Sequence, residues 1–337
     1  RHGYVTEGRG WLEHLLVRLD TRLSADYAGS NDEQEIEEIV QIMSSHPFRA
    51  SALQVLNGAG ALAVRVHDMG NAHRYLTLAM AMAQRTGNRV EEAYLLNGLG
   101  NLSNQVGDYN SALRYYEDSL KIKRDIVGWD ESNIAGTLTS YSWTLTSVGR
   151  LADALAVEEG NLMIQRRLGD MEGVGRSLYS LSGIAWKTGD YAAAGRYGEQ
   201  ILAIARNLGN QEGEAHALRV LGDVAWAQGR LSESHAYLTD SLARFQGIEQ
   251  QDGALDCISR LAQVAASQGQ VHRAGTLAGA HVALHAAINT PQLAVDTGPA
   301  STFALLRLQN EAAWTQAWAI GQAMTLPQVI AYLLNNE

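Results

Sequence analysis

The chain has 337 residues, with 36 acidic against 26 basic side chains and a formal net charge of −10. That balance argues against a nucleic-acid surface, which needs a basic stripe, and no apolar run approaches the roughly 20 residues that cross a bilayer. With 46% apolar residues, four prolines and a single cysteine, Cys257, the composition supplies a continuous core, excludes an internal disulfide and suits a reducing compartment.

Gly3 reads as the turn of a repeat whose first helix is missing, so residues 1–23 are expected to hold a truncated repeat helix. Residues 24–46 are read as a loop, from Ser24 to Asp32, followed by an acidic helix that ends before Pro47. The acidic run from Asp32 to Glu38 is either a solvated face or a surface for a partner domain. Pro47 suits the first turn of the next helix.

From residue 47 to 288 the sequence repeats as six helical hairpins. The turn glycines Gly149, Gly189, Gly229 and Gly269 stand 40 residues apart, and Gly107 and Gly70 extend the register with one longer and one shorter interval. A fixed period of this size marks a stack of supersecondary units. Before each turn runs an apolar stripe with a small residue at its centre: Leu96, Leu99, Gly100; Leu138, Tyr141, Ser142; Leu178, Leu181, Ser182; Leu218, Leu221, Gly222; Ile258, Leu261, Ala262. Offsets of three and four residues put each set on one helical face, and the small residue is expected to admit a neighbouring backbone. After each turn, Ala112, Ala154, Ala194, Ser234 and Ala274 begin the buried face of a second helix.

Residues 289–337 are read as a loop and a helical C-terminal cap. Pro291, Gly298 and Pro299 interrupt any stripe, so the last repeat is expected to end near Ile288. Thr325 with Gln328 forms a capping-box pattern for a terminal helix, whose first turn accommodates Pro327.

The pairs Leu99-Gly100, Gly107-Asp108-Tyr109 and Ala112 resemble tetratricopeptide repeats. About 34 residues is usual for that family, so the 40-residue period here implies helices longer by a turn or so, as in large bacterial signalling ATPases. The expected fold class is all-α: a right-handed superhelical solenoid of antiparallel helix pairs with a helical C-terminal cap. The ends sharpen the resemblance. Glu7-Gly8-Arg9-Gly10-Trp11-Leu12 resembles the segment that opens the repeat arm of LuxR-type, MalT-like bacterial regulators, and the run from Ala313 to Leu326 resembles the segment that closes it.

Such regulators carry a nucleotide-binding module and often a helix-turn-helix, and neither is present. Gly-x-x-x-x-Gly-Lys-Ser/Thr is absent, the nearest stretch being Trp186-Lys187-Thr188 inside a repeat helix. The resemblance therefore implies the excised cytoplasmic sensor arm of a longer regulator, with that module and a possible helix-turn-helix as same-chain partners.

In tetratricopeptide domains the concave surface is lined from fixed positions before the turn glycine. Carried over, these are Asn97, Asn101, Asn104 and Gln105 in one repeat and Thr139, Trp143 and Thr146 in the next, then Arg176, Tyr179, Trp186 and Lys187, then His216, Arg219, Asp223 and Trp226. Asp256, Ser259 and Gln263 follow in the last full repeat. Two readings stand side by side. The tryptophans pack between repeats, or they line a groove for a sugar, a nucleotide-like metabolite or an extended peptide. Arg176 and Arg219 hold an anionic ligand, or Arg219 merely pairs with Asp223 four residues on.

No catalytic residues and no cofactor are expected. His281 and His285 are four apart on a helix without a third metal ligand in view, and Cys257 reads as buried. The functional expectation is a regulatory arm that senses a protein segment or small-molecule effector in its groove. The alternative is a scaffold that binds a protein segment without switching, and an enzyme ranks third.

Overall fold

The structure, a computed structural model, describes residues 40–41, 43–45, 49–66, 68–126, 128–288 and 302–335. The expectations for residues 1–39, for Pro47 and for the loop at 289–301 lie outside the described residues. Of the expected acidic helix, Val40, Gln41, Met43, Ser44 and Ser45 are described and helical, with Val40 and Met43 buried.

Among the described residues there are helices and no strand. In order they are α1 (Arg49–Arg65), α2 (Met69–Thr86), α3 (Arg89–Gln105), α4 (Tyr109–Asp125), α5 (Glu131–Ser147), α6 (Leu151–Leu168), α7 (Met171–Thr188), α8 (Tyr191–Leu208), α9 (Gln211–Ala227), α10 (Leu231–Gly247), α11 (Gln251–Ser267), α12 (Val271–Ile288), α13 (Thr302–Gln309), α14 (Glu311–Gln322) and α15 (Leu326–Asn335). The chain divides into two compact units, Arg1–Val157 and Glu158–Glu337. Consecutive helices pack on one another in each: α1 on α2, α2 on α3 and α3 on α4 in the first, and every neighbour from α7 to α12 in the second.

Local chemistry sets the helix boundaries. Asp68, Asn88, Asp108, Asp190 and Asn210 each accept a hydrogen bond from the backbone N–H three residues on, which satisfies one of the orphan donors of the first turn. Gly149, Gly189, Gly229 and Gly269 all lie in the left-handed region, with φ between 73° and 80°. Gly70 is not such a turn. It is the second residue of α2, and the preceding N-cap, Asp68, holds the Asn71 N–H above it.

A second glycine series closes the hairpins on their other side: Gly87, Gly128, Gly169 and Gly209 also have positive φ. Its next member is Glu249, the one non-glycine residue at positive φ among those described, at φ 57°, and Gln250 after it makes no side-chain cap bond. Restoring the pattern removes two local penalties, so Glu249→Gly and Gln250→Asn are each expected to stabilise the fold by about 1 kcal/mol. Thermal melts of the two single variants and the pair check the size and additivity.

In the first unit the core runs from Val40 and Met43 through Leu53, Leu56, Leu76 and Met82 to Leu95 and Leu99. In the second, the largest cluster joins Leu238, Leu242 and Phe245 to Leu255, Ile258, Leu261 and Leu277, and on to Phe303, Trp314 and Ile330 of the last helices. The two glycines of the stripe do admit a neighbour, but it is a side chain rather than a backbone. A Cβ on Gly100 would lie 2.5 Å from the Tyr116 ring, and one on Gly222 would lie 2.7 Å from Leu238 Cγ.

The C-terminal helices seat on α12 more closely. Gly275 and Gly279 of α12 and Gly321 of α14 bring backbone against backbone, so that a Cβ on Gly321 would collide with the Thr276 carbonyl and lie 2.8 Å from the Ala280 nitrogen. The Thr325 N–H donates to Gln328 Oε1 at 2.8 Å and starts α15 as the capping box requires. Among the described residues no helix is long and apolar enough to cross a membrane.

Candidate functional site

In the second unit, α7, α9 and α11 are the first helices of successive pairs, and each contributes to one polar and aromatic cluster. Arg219 on α9 donates through Nη2 to the Tyr179 hydroxyl of α7 and through Nη1 to Asp223 Oδ2 at 3.1 Å. Arg260 on α11 donates through Nε to the other Asp223 oxygen at 2.6 Å, and through Nη1 to Gln263 Oε1. One carboxylate thus joins guanidinium groups from neighbouring repeats.

Aromatic rings frame that chain. The Arg260 guanidinium carbon lies 5.5 Å from the centroid of Trp186 and 5.0 Å from that of Trp226, within cation–π range of both. The two indoles are stacked at 6.4 Å, and Trp226 Nε1 donates to Ser267 Oγ at 3.1 Å. Below them Tyr179 meets His216 edge-on at 5.2 Å, and His216 meets Phe245 at 5.0 Å. Burial and the charge of Arg219 hold the His216 pKa down, so the imidazole stays neutral at pH 7. Burial pushes the Asp256 carboxyl up, towards its protonated form.

The first unit carries a separate amide face on α3. Tyr116 Oη donates to Asn101 Oδ1 at 2.8 Å, whereas Asn97 Oδ1 and Asn104 Oδ1 are buried and have no hydrogen-bond partner among the described residues. Trp143 on α5 leaves 54% of its surface exposed and meets Tyr109 edge-on at 6.5 Å, so this tryptophan is not packed between repeats.

A family model described as tetratricopeptide repeat matches residues 51–125 and 173–247. Those two segments match tetratricopeptide repeats. Solved structures extend the likeness beyond the matched segments. The apo form of RapI has 11% identity and a TM-score of 0.60, with 98% of each chain covered. NprR in complex with its cognate peptide NprX has 17% identity and a TM-score of 0.56, covering 95% of this chain and 89% of that one. The apo form of the quorum sensor NprR from B. thuringiensis has 14% identity and a TM-score of 0.54, covering 98% and 99%. At these identities the likeness is one of fold, an all-α tetratricopeptide-like solenoid of antiparallel helix pairs. No curated protein matches the sequence.

Within these repeats the expected inner-face residues separate. Tyr179, Trp186, His216, Arg219, Asp223 and Trp226 come together, and Gln263 joins them. Arg176 does not: 59% exposed, it turns to Asp170 at 3.3 Å and Glu172 at 3.9 Å near the start of its own helix. Lys187 is exposed at the far end of α7. Arg260 was not among the expected residues. It stands nine before its turn glycine, where the other repeats have Gly98, Ser140, Ser180 and Val220, and only a long side chain reaches the cluster from there. Cys257 is buried, as expected, and burial pushes its thiol up to about 12. His281 and His285 are buried with ring centroids 4.5 Å apart, and burial together with His285 brings His281 down to about 4.

One further polar group lies in the first unit. Lys123, only 2% exposed, donates to Thr137 Oγ1 at 2.6 Å and to the Asn133 carbonyl at 3.2 Å, with Tyr94 and Trp129 at cation–π distance. Burial without a carboxylate brings its pKa down to about 8 from 10.5. Between those values the unfolded chain binds more protons than the folded one, so stability rises with pH from about 8 to 10.5 and is flat only well below 8. Lys123→Met is expected to remove that rise and to raise the melting temperature at pH 7, as read from melts across the window.

Proposed function

We propose that this chain is a regulatory, non-catalytic binding domain whose α7–α9–α11 face holds an extended peptide or protein segment. The observation that carries the proposal is the single chain of groups from Tyr179 through Arg219 and Asp223 to Arg260, laid against Trp186 and Trp226 on three successive first helices. Flat apolar faces beside fixed polar groups suit an occupant with alternating side chains and backbone amides. The fold shared with NprR, whose structure holds its cognate peptide, supports the same reading. The segments resembling the ends of LuxR-type, MalT-like repeat arms extend the proposal to a cytoplasmic sensor arm, in which an effector shifts an equilibrium of an attached nucleotide-binding module. That shift requires unequal affinity for two states. A net charge of −10 directs the domain away from nucleic acid as a direct partner.

The test is a thermal-shift screen against peptides, sugars, nucleotides and amino acids. Saturation at about 100 times the dissociation constant stabilises the fold by roughly 2.7 kcal/mol. The shift is expected with a peptide, is expected to disappear in Trp226→Ala and to persist in Arg176→Ala, whose side chain lies outside the cluster. A shift that survives Trp226→Ala places the occupant elsewhere, and a sugar or nucleotide hit replaces the peptide with a small-molecule effector. A ligand that binds without altering the attached module's nucleotide turnover makes the domain a scaffold rather than a sensor.

A further inference from the structure

Two guanidinium groups converge on the candidate site, and one carboxylate is bonded to them. Asp223 gives one oxygen to Arg219 and the other to Arg260, so its acceptor directions towards both are used. The next acid, Asp256, makes no hydrogen bond among the described residues, and burial raises its pKa above the ordinary carboxylate value while Arg219 opposes the rise. Arg260 spends Nε on Asp223 and Nη1 on Gln263, while its Nη2 makes no hydrogen bond among the described residues. Its plane is fixed by contact with both indoles. A fixed guanidinium with a free donor edge, which shares its one bonded carboxylate with a second arginine, matches an incoming carboxylate better than a neutral or cationic group.

We infer that the occupant of this face carries a carboxylate that docks on the free edge of Arg260, with Trp226 beside it receiving the neighbouring apolar side chain. The inference rests on the peptide-binding reading and names the chemistry that the reading leaves open. An acidic side chain and a free peptide C-terminus present the same group.

The experiment uses three sets of heptapeptides degenerate at the remaining positions. The first is capped at both ends with Asp at the centre, the second is identical with Asn, and the third has Asn at the centre and a free C-terminal carboxylate. Binding is read by tryptophan fluorescence and calorimetry on the wild type, Arg260→Gln and Arg260→Lys. We expect one of the two carboxylate sets to bind at least about tenfold tighter than the Asn set. Which one does so identifies the source. The preference is expected to collapse in Arg260→Gln and to survive in part in Arg260→Lys, which retains charge without the planar fork and covers the case in which Arg260→Gln fails to fold. Equal binding of all three sets overturns the carboxylate anchor and leaves peptide binding standing. A preference undiminished in both variants also overturns it, because the carboxylate then docks elsewhere. If no set binds, the peptide-binding reading falls, and the anchor with it.

Discussion

Gly321→Ala is expected to undock the C-terminal helices at a cost of about 3 kcal/mol or more, from one added methyl group. The new Cβ meets the Thr276 carbonyl and the Ala280 nitrogen. Both belong to the backbone of α12, so no rotamer change relieves the clash and the helices must separate. The contact is doubled by Gly279, where a Cβ would strike the Trp318 carbonyl, so the separation also opens the neighbouring turn. With α14 lifted, Trp314 leaves a site where it is only 6% exposed, and Phe303, Val329, Ile330 and Leu333 lose their common core. The expected signature is a red-shifted tryptophan emission and rapid proteolysis between α12 and α14, with loss of helicity confined to the last helices. Gly183→Ala is the control. Gly183 sits mid-helix in α7 with nothing within 4 Å of an added Cβ, so the same substitution there is expected to stabilise by about 1 kcal/mol. A Gly321→Ala variant that melts with the wild type and keeps a buried Trp314 overturns the account.

The repeat was legible because its signals are local and recur. A turn glycine every 40 residues, an Asp or Asn at many helix starts and an apolar stripe at helical spacing each follow from backbone conformation or hydrophobic period, which a linear sequence displays directly. The closing motif was legible as a resemblance, and the structure supplies its physical reason: its glycine is the point where two backbones touch. What stayed hidden depends on the reach of single side chains. Arg176 and Arg219 occupy comparable inner-face positions, yet Arg176 is captured by Asp170 and Glu172 beside it while Arg219 spans to Tyr179. Arg260 was passed over because a rule of fixed positions sees where a residue begins and not how far it extends. Lys123 escaped for a different reason. It falls in a series with Gln165, Ala205, Phe245 and His285 down the buried side of successive second helices, and a lysine there contradicts the expectation for a core position.

Asp223→Ala carries the second large effect. Its carboxylate is 12% exposed and is bonded to Arg219 and Arg260, whose side chains are 18% and 22% exposed. Removing it leaves two mostly buried guanidinium groups without the one carboxylate that bonds both. Breaking a buried pair from one side costs about 3–5 kcal/mol. Because some water reaches both arginines, and Tyr179 and Gln263 still accept from them, about 2–3 kcal/mol is expected here. The loss is electrostatic, so it has a diagnostic reversal. Asp223→Ala combined with Arg260→Met is expected to recover about half of it, since the second change removes the uncompensated charge while keeping an apolar stem against Trp186 and Trp226. A double-mutant cycle on thermal unfolding measures that coupling directly. Strict additivity would mean that Asp223 and Arg260 are only neighbours on a solvated face. Strong coupling would mean that this carboxylate links the α9 and α11 repeats through the centre of the binding face, so that any ligand competing for Arg260 also acts on the junction between two repeats.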